Sequence, residues 1–140
     1  MNAKKYELFE HTADLGLHVY GATPGKLFAN AAEALMSLLT EPEKIRSVEE
    51  TVISLEAETA GELLRAWMAE LLYLYNTQGI LVAGVRFTSL TENRLEAVVL
   101  GERVDQSRHE ITGEVKAVTW HRLGIEKHEG NLRATLVLDV

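Results

Sequence analysis

Apolar positions recur with two different periods along this chain, and the changes of period mark its elements. In the opening stretch YELFEHTADLGLHVYG, Leu15, Leu17 and Val19 alternate with Gly16, His18 and Tyr20, the period of a strand with one covered face. That stretch predicts two short strands around the polar turn EHTAD. In TPGKLFANAAEALMSLLTEP the period lengthens. Leu27, Ala31, Leu35 and Leu38 share one helical face, widened by Phe28 and Leu39. Thr23 suits the N-cap, Pro24 suits the first helical position, and Pro42 marks the end. Alternation returns at Ile53, Leu55 and Ala57. The run TAGELLRAWMAELLYLYN then predicts a second helix. Thr59 and Glu62 stand at capping-box spacing, and Leu64, Trp67, Met68, Leu71, Leu72 and Tyr75 form a broad apolar face.

After Gly79 the period stays near two. LVAGVRFTSL and RLEAVVLGE flank TEN and predict a hairpin. DQSRHEITG reads as a polar loop. EVKAVTWHRLGIEKH and LRATLVLDV flank EGN and predict a second hairpin. Strands before, between and after two helices predict an α+β fold, with both helices packed on one face of a mostly antiparallel sheet. No repeat, low-complexity tract or linker interrupts residues 1–140, so one domain is expected.

Composition narrows the function classes. The hydrophobic share of 46% is ordinary for a globule with a real core, and the chain has no cysteine for a disulfide or a thiolate metal site. MNAKKYELFEH carries no apolar run after its lysines, as a signal peptide would. No stretch approaches the roughly 20 apolar residues of a membrane span. The expectation is a soluble cytoplasmic protein without a membrane partner. With 14 basic and 21 acidic residues the formal charge is −7, a poor match for a phosphate backbone. Action on RNA is therefore expected through a basic partner protein.

The chain lacks the motifs that announce common enzymes: no GxxxxGK[ST], GxGxxG, HExxH or GxSxG. Three features remain. Asp14 lies in the EHTADLG turn, where an aspartate commonly caps its own turn. The sequence closes on RATLVLDV, a strand pattern in which Ala134, Leu136, Leu138 and Val140 oppose Arg133, Thr135, Val137 and Asp139. Asp139 and the Val140 carboxylate are either solvated charges at a strand end or ligands. In KAVTWH, Lys116, Val118 and Trp120 alternate with Ala117, Thr119 and His121. There the histidine is either a structural residue or a ligand, and the lysine reads as a solvated edge charge. If Asp14, Asp139 and the Val140 carboxylate converged, three anions would repel and call for a cation. Hard oxygen donors select Ca2+, Mg2+ or Mn2+ over zinc or copper. Spacing alone does not bring residues 14 and 139 together.

The stretches YELFEHTADLGLHVYG, LFANAAEALMSLLTE, EVKAVTWH and the final VLDV together resemble the archease family across essentially the whole chain. Archeases are small accessory proteins that stimulate RtcB-type RNA ligases. Those ligases use manganese and GTP to rejoin tRNA halves and repair RNA. The resemblance implies a non-catalytic activator that promotes ligase guanylylation and turnover, touching tRNA only through the ligase. It also implies a metal site of Asp14, Asp139 and the main-chain carboxylate of Val140. Glu10, His11, Lys116 and His121 fall in family motifs and are expected to orient ligands or touch the partner. Trp120 and Arg122 depart from the tyrosine and glycine common in the family, which bears on the partner surface. Two other readings compete. One is a chaperone-like module that modulates an RNA-modifying enzyme such as a tRNA methyltransferase. The other is a small metal-dependent hydrolase using the same carboxylates.

Overall fold

A computed structural model describes residues 4–11, 14–119 and 124–140, with His11 described through its backbone alone. Strand β1 (Tyr6–His11) turns back into β2 (Asp14–Gly21), so Asp14 opens a strand rather than sitting within the turn. Helix α1 (Pro24–Leu39) starts as its sequence dictates, with Pro24 in the first turn and the Thr23 hydroxyl accepting the Lys26 N–H at 3.2 Å. A 3₁₀ turn (Pro42–Lys44) leads to β3 (Glu49–Glu56). Helix α2 (Ala60–Gln78) is capped the same way, Thr59 accepting the Glu62 N–H at 3.1 Å. The first hairpin is β4 (Ile80–Leu90) and β5 (Arg94–Arg103).

The stretch EVKAVTWHRLGIEKH does not form one long strand. It gives β6 (Ala117–Val118) and β7 (Gly124–His128), both antiparallel to β8 (Asn131–Asp139) along the same edge. The fold is α+β with two helices and antiparallel pairing throughout the described residues. The strands divide between two sheets where the sequence reading spoke of one. Five of them form a sheet in the order β1-β2-β8-β6, with β7 also on β8, and three form a sheet in the order β3-β5-β4.

Both helices cover one face of the larger sheet. Leu17, Val19, Ala134, Leu136 and Leu138 point from that face into the core. There they meet Leu27, Ala31 and Leu35 of α1 and Leu64, Trp67 and Leu71 of α2. Leu81, Leu95, Ala97 and Val99 close the core from the smaller sheet. Trp67 is fully buried, and its indole N–H donates to the Phe28 carbonyl at 2.9 Å, which removes the cost of burying that donor. Among the described residues no helix covers the other face of the larger sheet. Val137 falls on it by alternation yet is only 1% exposed. It stands opposite Gly16, over which the Phe9 ring lies, so a strand residue expected on the polar face is covered.

Candidate functional site

Strand register assembles one end of the larger sheet. His11 stands opposite Asp14 between β1 and β2. The β2–β8 ladder ends by pairing Gly16 with Val137 and Leu15 with Leu138, and Asp14 and Asp139 are the residues that follow that last pair on each strand. On the far side of β8, Asp139 stands opposite Ala117 of β6. Directly opposed residues of an antiparallel pair share a face, with Cα atoms about 4.5–5.5 Å apart. Leu15 and Leu138 face the core, so by alternation Asp14 and Asp139, the next residues on each strand, fall toward the helix-free face. Backbone pairing thus brings Leu15 and Leu138, 123 positions apart in the chain, together at this end of the sheet.

Both aspartates are half-buried, and Val140, one residue on, is 46% exposed. Among the described residues neither aspartate is ion-paired to a lysine, arginine or histidine. Two adjacent carboxylates without a cation repel, and an oxygen-seeking divalent ion fits that donor set. Among the described residues no three His, Asp or Glu side chains gather into a metal-binding group. A three-ligand site here therefore depends on the main-chain carboxylate of Val140.

The other candidates divide. Lys116 is positioned by its backbone: its N–H donates to the Asp139 carbonyl at 2.6 Å, while its side chain is exposed. Glu10 stands opposite Leu15, which sets it on the core side of the sheet rim, away from the aspartate row. His121, with Trp120 and Arg122, lies outside the described residues.

Sequence reasoning did not single out two polar groupings. The first runs along the helix-free face from the aspartate end. The rings of Phe9 and His18 stack at 4.5 Å, followed by Tyr20 at 6.4 Å and His128 at 6.1 Å from ring to ring. His18 Nδ1 lies 2.9 Å from the Thr135 hydroxyl. Burial and then the Arg133 charge push the His18 imidazole below its ordinary value, favouring its neutral form. The signal was present, because Gly16, His18 and Tyr20 alternate against the apolar set.

The second grouping is internal. Glu102 is 6% exposed and His109 4% exposed. The Asp105 N–H donates to His109 Nδ1 at 2.9 Å, so the ring proton sits on Nε2, which donates to Glu102 Oε2 at 3.0 Å. The Arg46 N–H donates to the same oxygen at 2.7 Å, and the Arg108 guanidinium donates to Oε1. This cluster ties the segment between β5 and β6 to the core. No hydrophobic period reports a contact of this kind.

The family model for the Archease protein family (MTH1598/TM1083) matches residues 6–140. The chain belongs to the archease family. Protein archease of Thermococcus gammatolerans is 36% identical over 98% of this chain and 99% of its own length. Protein archease of Methanosarcina mazei is 33% identical over 98% and 97%. The solution structure of Methanobacterium thermoautotrophicum protein 1598 superposes with a TM-score of 0.80 at 30% identity, covering 97% of this chain and 99% of that one. A crystal structure from Thermotoga maritima, described as an archease and possible chaperone, shares the fold at a TM-score of 0.64 and 19% identity, over 100% and 98% of the two chains. The archease match therefore spans both sheets, both helices and the aspartate end.

Proposed function

We propose that this archease-family protein is a non-catalytic activator of an RtcB-type tRNA-splicing and RNA-repair ligase, acting through an acidic, metal-binding sheet end. The observation that carries the reading is the β2–β8 ladder, which ends at Leu15 and Leu138, the residues adjoining Asp14 and Asp139, in a chain that matches the archease family over residues 6–140. Asp14, Asp139 and the Val140 main-chain carboxylate would hold a divalent ion of the calcium, magnesium or manganese type. Such an ion, when bound, supplies positive charge and Lewis acidity. The protein's part is to hold hard oxygens on a central strand and leave the remaining coordination positions to water or a partner's groups. The half-buried, outward placement of both aspartates suits presentation to a partner better than enclosure of a small substrate. RNA is engaged through the ligase, consistent with the net acidity of the chain. No helix among the described residues is long and apolar enough to cross a membrane, and a cytoplasmic site of action fits the ligase partner.

The test is guanylylation of limiting cognate ligase with and without this protein across a manganese series. Faster guanylylation and repeated turnover, lost in Asp14→Ala, are expected. Stimulation unchanged by Asp14→Ala would replace the metal-dependent reading with metal-free chaperone-like action. GTP hydrolysis by the protein alone, lost on the same substitution, would replace it with a hydrolase.

A further inference from the structure

Among the described residues, three buried side chains are polar or charged: Thr40, Glu102 and His109. All three spend their hydrogen bonds on one segment. β5 ends at Arg103 and β6 begins at Ala117, so residues 104–116 run without helix or strand. An irregular connection of about this length is uncommon in a compact domain and is usually functional. This one is anchored along its length. Glu102 accepts from His109 Nε2 at 3.0 Å and from the Arg108 guanidinium. His109 Nδ1 accepts the Asp105 N–H at 2.9 Å, and the His109 N–H donates to the Asp105 carbonyl at 2.7 Å. The Thr40 hydroxyl, at the C-cap of α1, donates to the Glu110 carbonyl at 2.7 Å.

The anchors continue to the aspartate end. The Thr112 N–H donates to the Leu39 carbonyl at 2.9 Å. Gly113 passes so close to α1 that an added Cβ would lie 2.0 Å from the Leu38 carbonyl oxygen. Val115 is buried in the core, and the segment closes with the Lys116 N–H on the Asp139 carbonyl at 2.6 Å. Burying a polar side chain costs free energy unless its hydrogen bonds are made, and bonds made in a dry interior strengthen one another. Here that cost is met on one path, from the end of β5 past the C-terminus of α1 to the end of β8.

We propose that residues 104–116 are a strap that opens and closes as one unit and holds Asp139 in place when closed, with Thr40, Glu102 and His109 as its positioning residues. Its anchors interlock, because His109 is bonded at once to Glu102 and to the turn at Asp105, so freeing one anchor loosens the next. Opening breaks no pair of the β2–β8 ladder and no turn of α2, so it needs less free energy than global unfolding. With the strap open, the Asp139 carbonyl loses the Lys116 N–H and the end of β8 is released on that flank. The strap does not depend on the ligase reading, whereas its effect on a cation rests on the aspartate end being the cation site. If closing the strap favours the cation, the cation favours closing by the same factor.

Hydrogen exchange of the full chain is followed amide by amide by NMR at constant pH and ionic strength, without cation and with Ca2+. Without cation, the Thr112 and Lys116 amides should share one protection factor, below that of Leu71 inside α2. Thr40→Val removes one anchor and should speed both amides about five- to tenfold. Thr40→Ser keeps the hydroxyl and should leave both near the parent. His109→Gln keeps a donor for Glu102 but loses the acceptor for the Asp105 N–H, and should also speed both. The Thr91 amide, bonded to the Arg94 carbonyl in the β4–β5 turn, is the control and should not change. Lys116 exchange unchanged in both Thr40→Val and His109→Gln, or Thr91 accelerated equally, would overturn the strap. With Ca2+ at about ten times the dissociation constant measured by calorimetry, both amides should slow by one factor, up to about tenfold. Ca2+ that protects Lys116 but not Thr112 would overturn the coupling. An absence of calorimetric binding would reject the cation reading of the aspartate end, and the cation-free rates would then decide the strap alone.

Discussion

Replacing Glu102 by leucine removes one buried side chain and strands three donors. The Arg46 N–H and the His109 Nε2–H both end on Oε2, and Arg108 donates to Oε1. A buried donor left without an acceptor costs about 1–3 kcal/mol. The Arg108 side chain is 27% exposed and can turn to water, so its share is below about 1 kcal/mol. Leucine returns part of the loss through apolar burial, leaving a net destabilisation of about 3 kcal/mol. At this chain length that lowers Tm by about 10 °C. Glu102→Gln is the control. Its amide oxygen can take the place of Oε2 and keep two donors satisfied, so the cost should be about 1 kcal/mol.

The two variants also differ in pH dependence. Burial alone would raise the Glu102 carboxyl, but the Arg46 N–H, His109 and Arg108 outweigh it and hold the group below its ordinary value of 4.5. A carboxyl depressed on folding stabilises the fold above its unfolded value, and that stability is lost as pH falls through the folded one. The parent should therefore lose stability on the acid side of 4.5, and the glutamine variant should lose less. Urea unfolding followed by far-UV circular dichroism and by the fluorescence of buried Trp67, from pH 3.5 to 7, measures both effects. A leucine variant within about 1 kcal/mol of the parent, or identical acid limbs for parent and glutamine variant, would refute the argument.

Asp14→Ala should leave Tm unchanged or raise it slightly, by up to about 1 kcal/mol of relieved like-charge repulsion, while abolishing stimulation of the ligase and any stabilisation by manganese in thermal melts. Extending the chain beyond Val140 with Gly-Ser-Gly turns the carboxylate into an amide. It should remove stimulation and calorimetric manganese binding without lowering Tm by more than about 2 °C. Gly113→Ala should cost at least about 2 kcal/mol in urea unfolding, because an added Cβ would lie 2.0 Å from the Leu38 carbonyl oxygen. Lys116→Pro, which deletes the N–H donated to Asp139, should depress ligase stimulation far more than Lys116→Gln, which deletes only an exposed charge.

What the sequence made legible follows from what a period can encode. Thr23, Pro24 and Thr59 placed the helix starts because capping is local: each threonine accepts an N–H three residues away. The alternation of Leu15, Leu17 and Val19 gave the buried face of β2 for the same reason. The break inside EVKAVTWHRLGIEKH was not legible, because one continuous apolar-rich run reads as one strand. Here it serves as two short strands on one edge of β8. The Glu102–His109 contact was hidden for a different reason. It joins a strand end to a loop with no period, and only a buried carboxylate with three donors reveals it. Of the candidate site, the strand that carries Asp139 was legible, but its pairing with β2 was not, since register is a long-range property.

The aspartate end owes its position to main-chain hydrogen bonds. Strand β8 lies inside the larger sheet, with β2 on one side and β6 and β7 on the other. Its last residues are held from both sides, by the ladder to Leu15 and by the Lys116 N–H on the Asp139 carbonyl. An edge strand frays at its end, whereas a strand paired on both sides does not offer that freedom. Pairing on both flanks therefore fixes the backbone that carries Asp139.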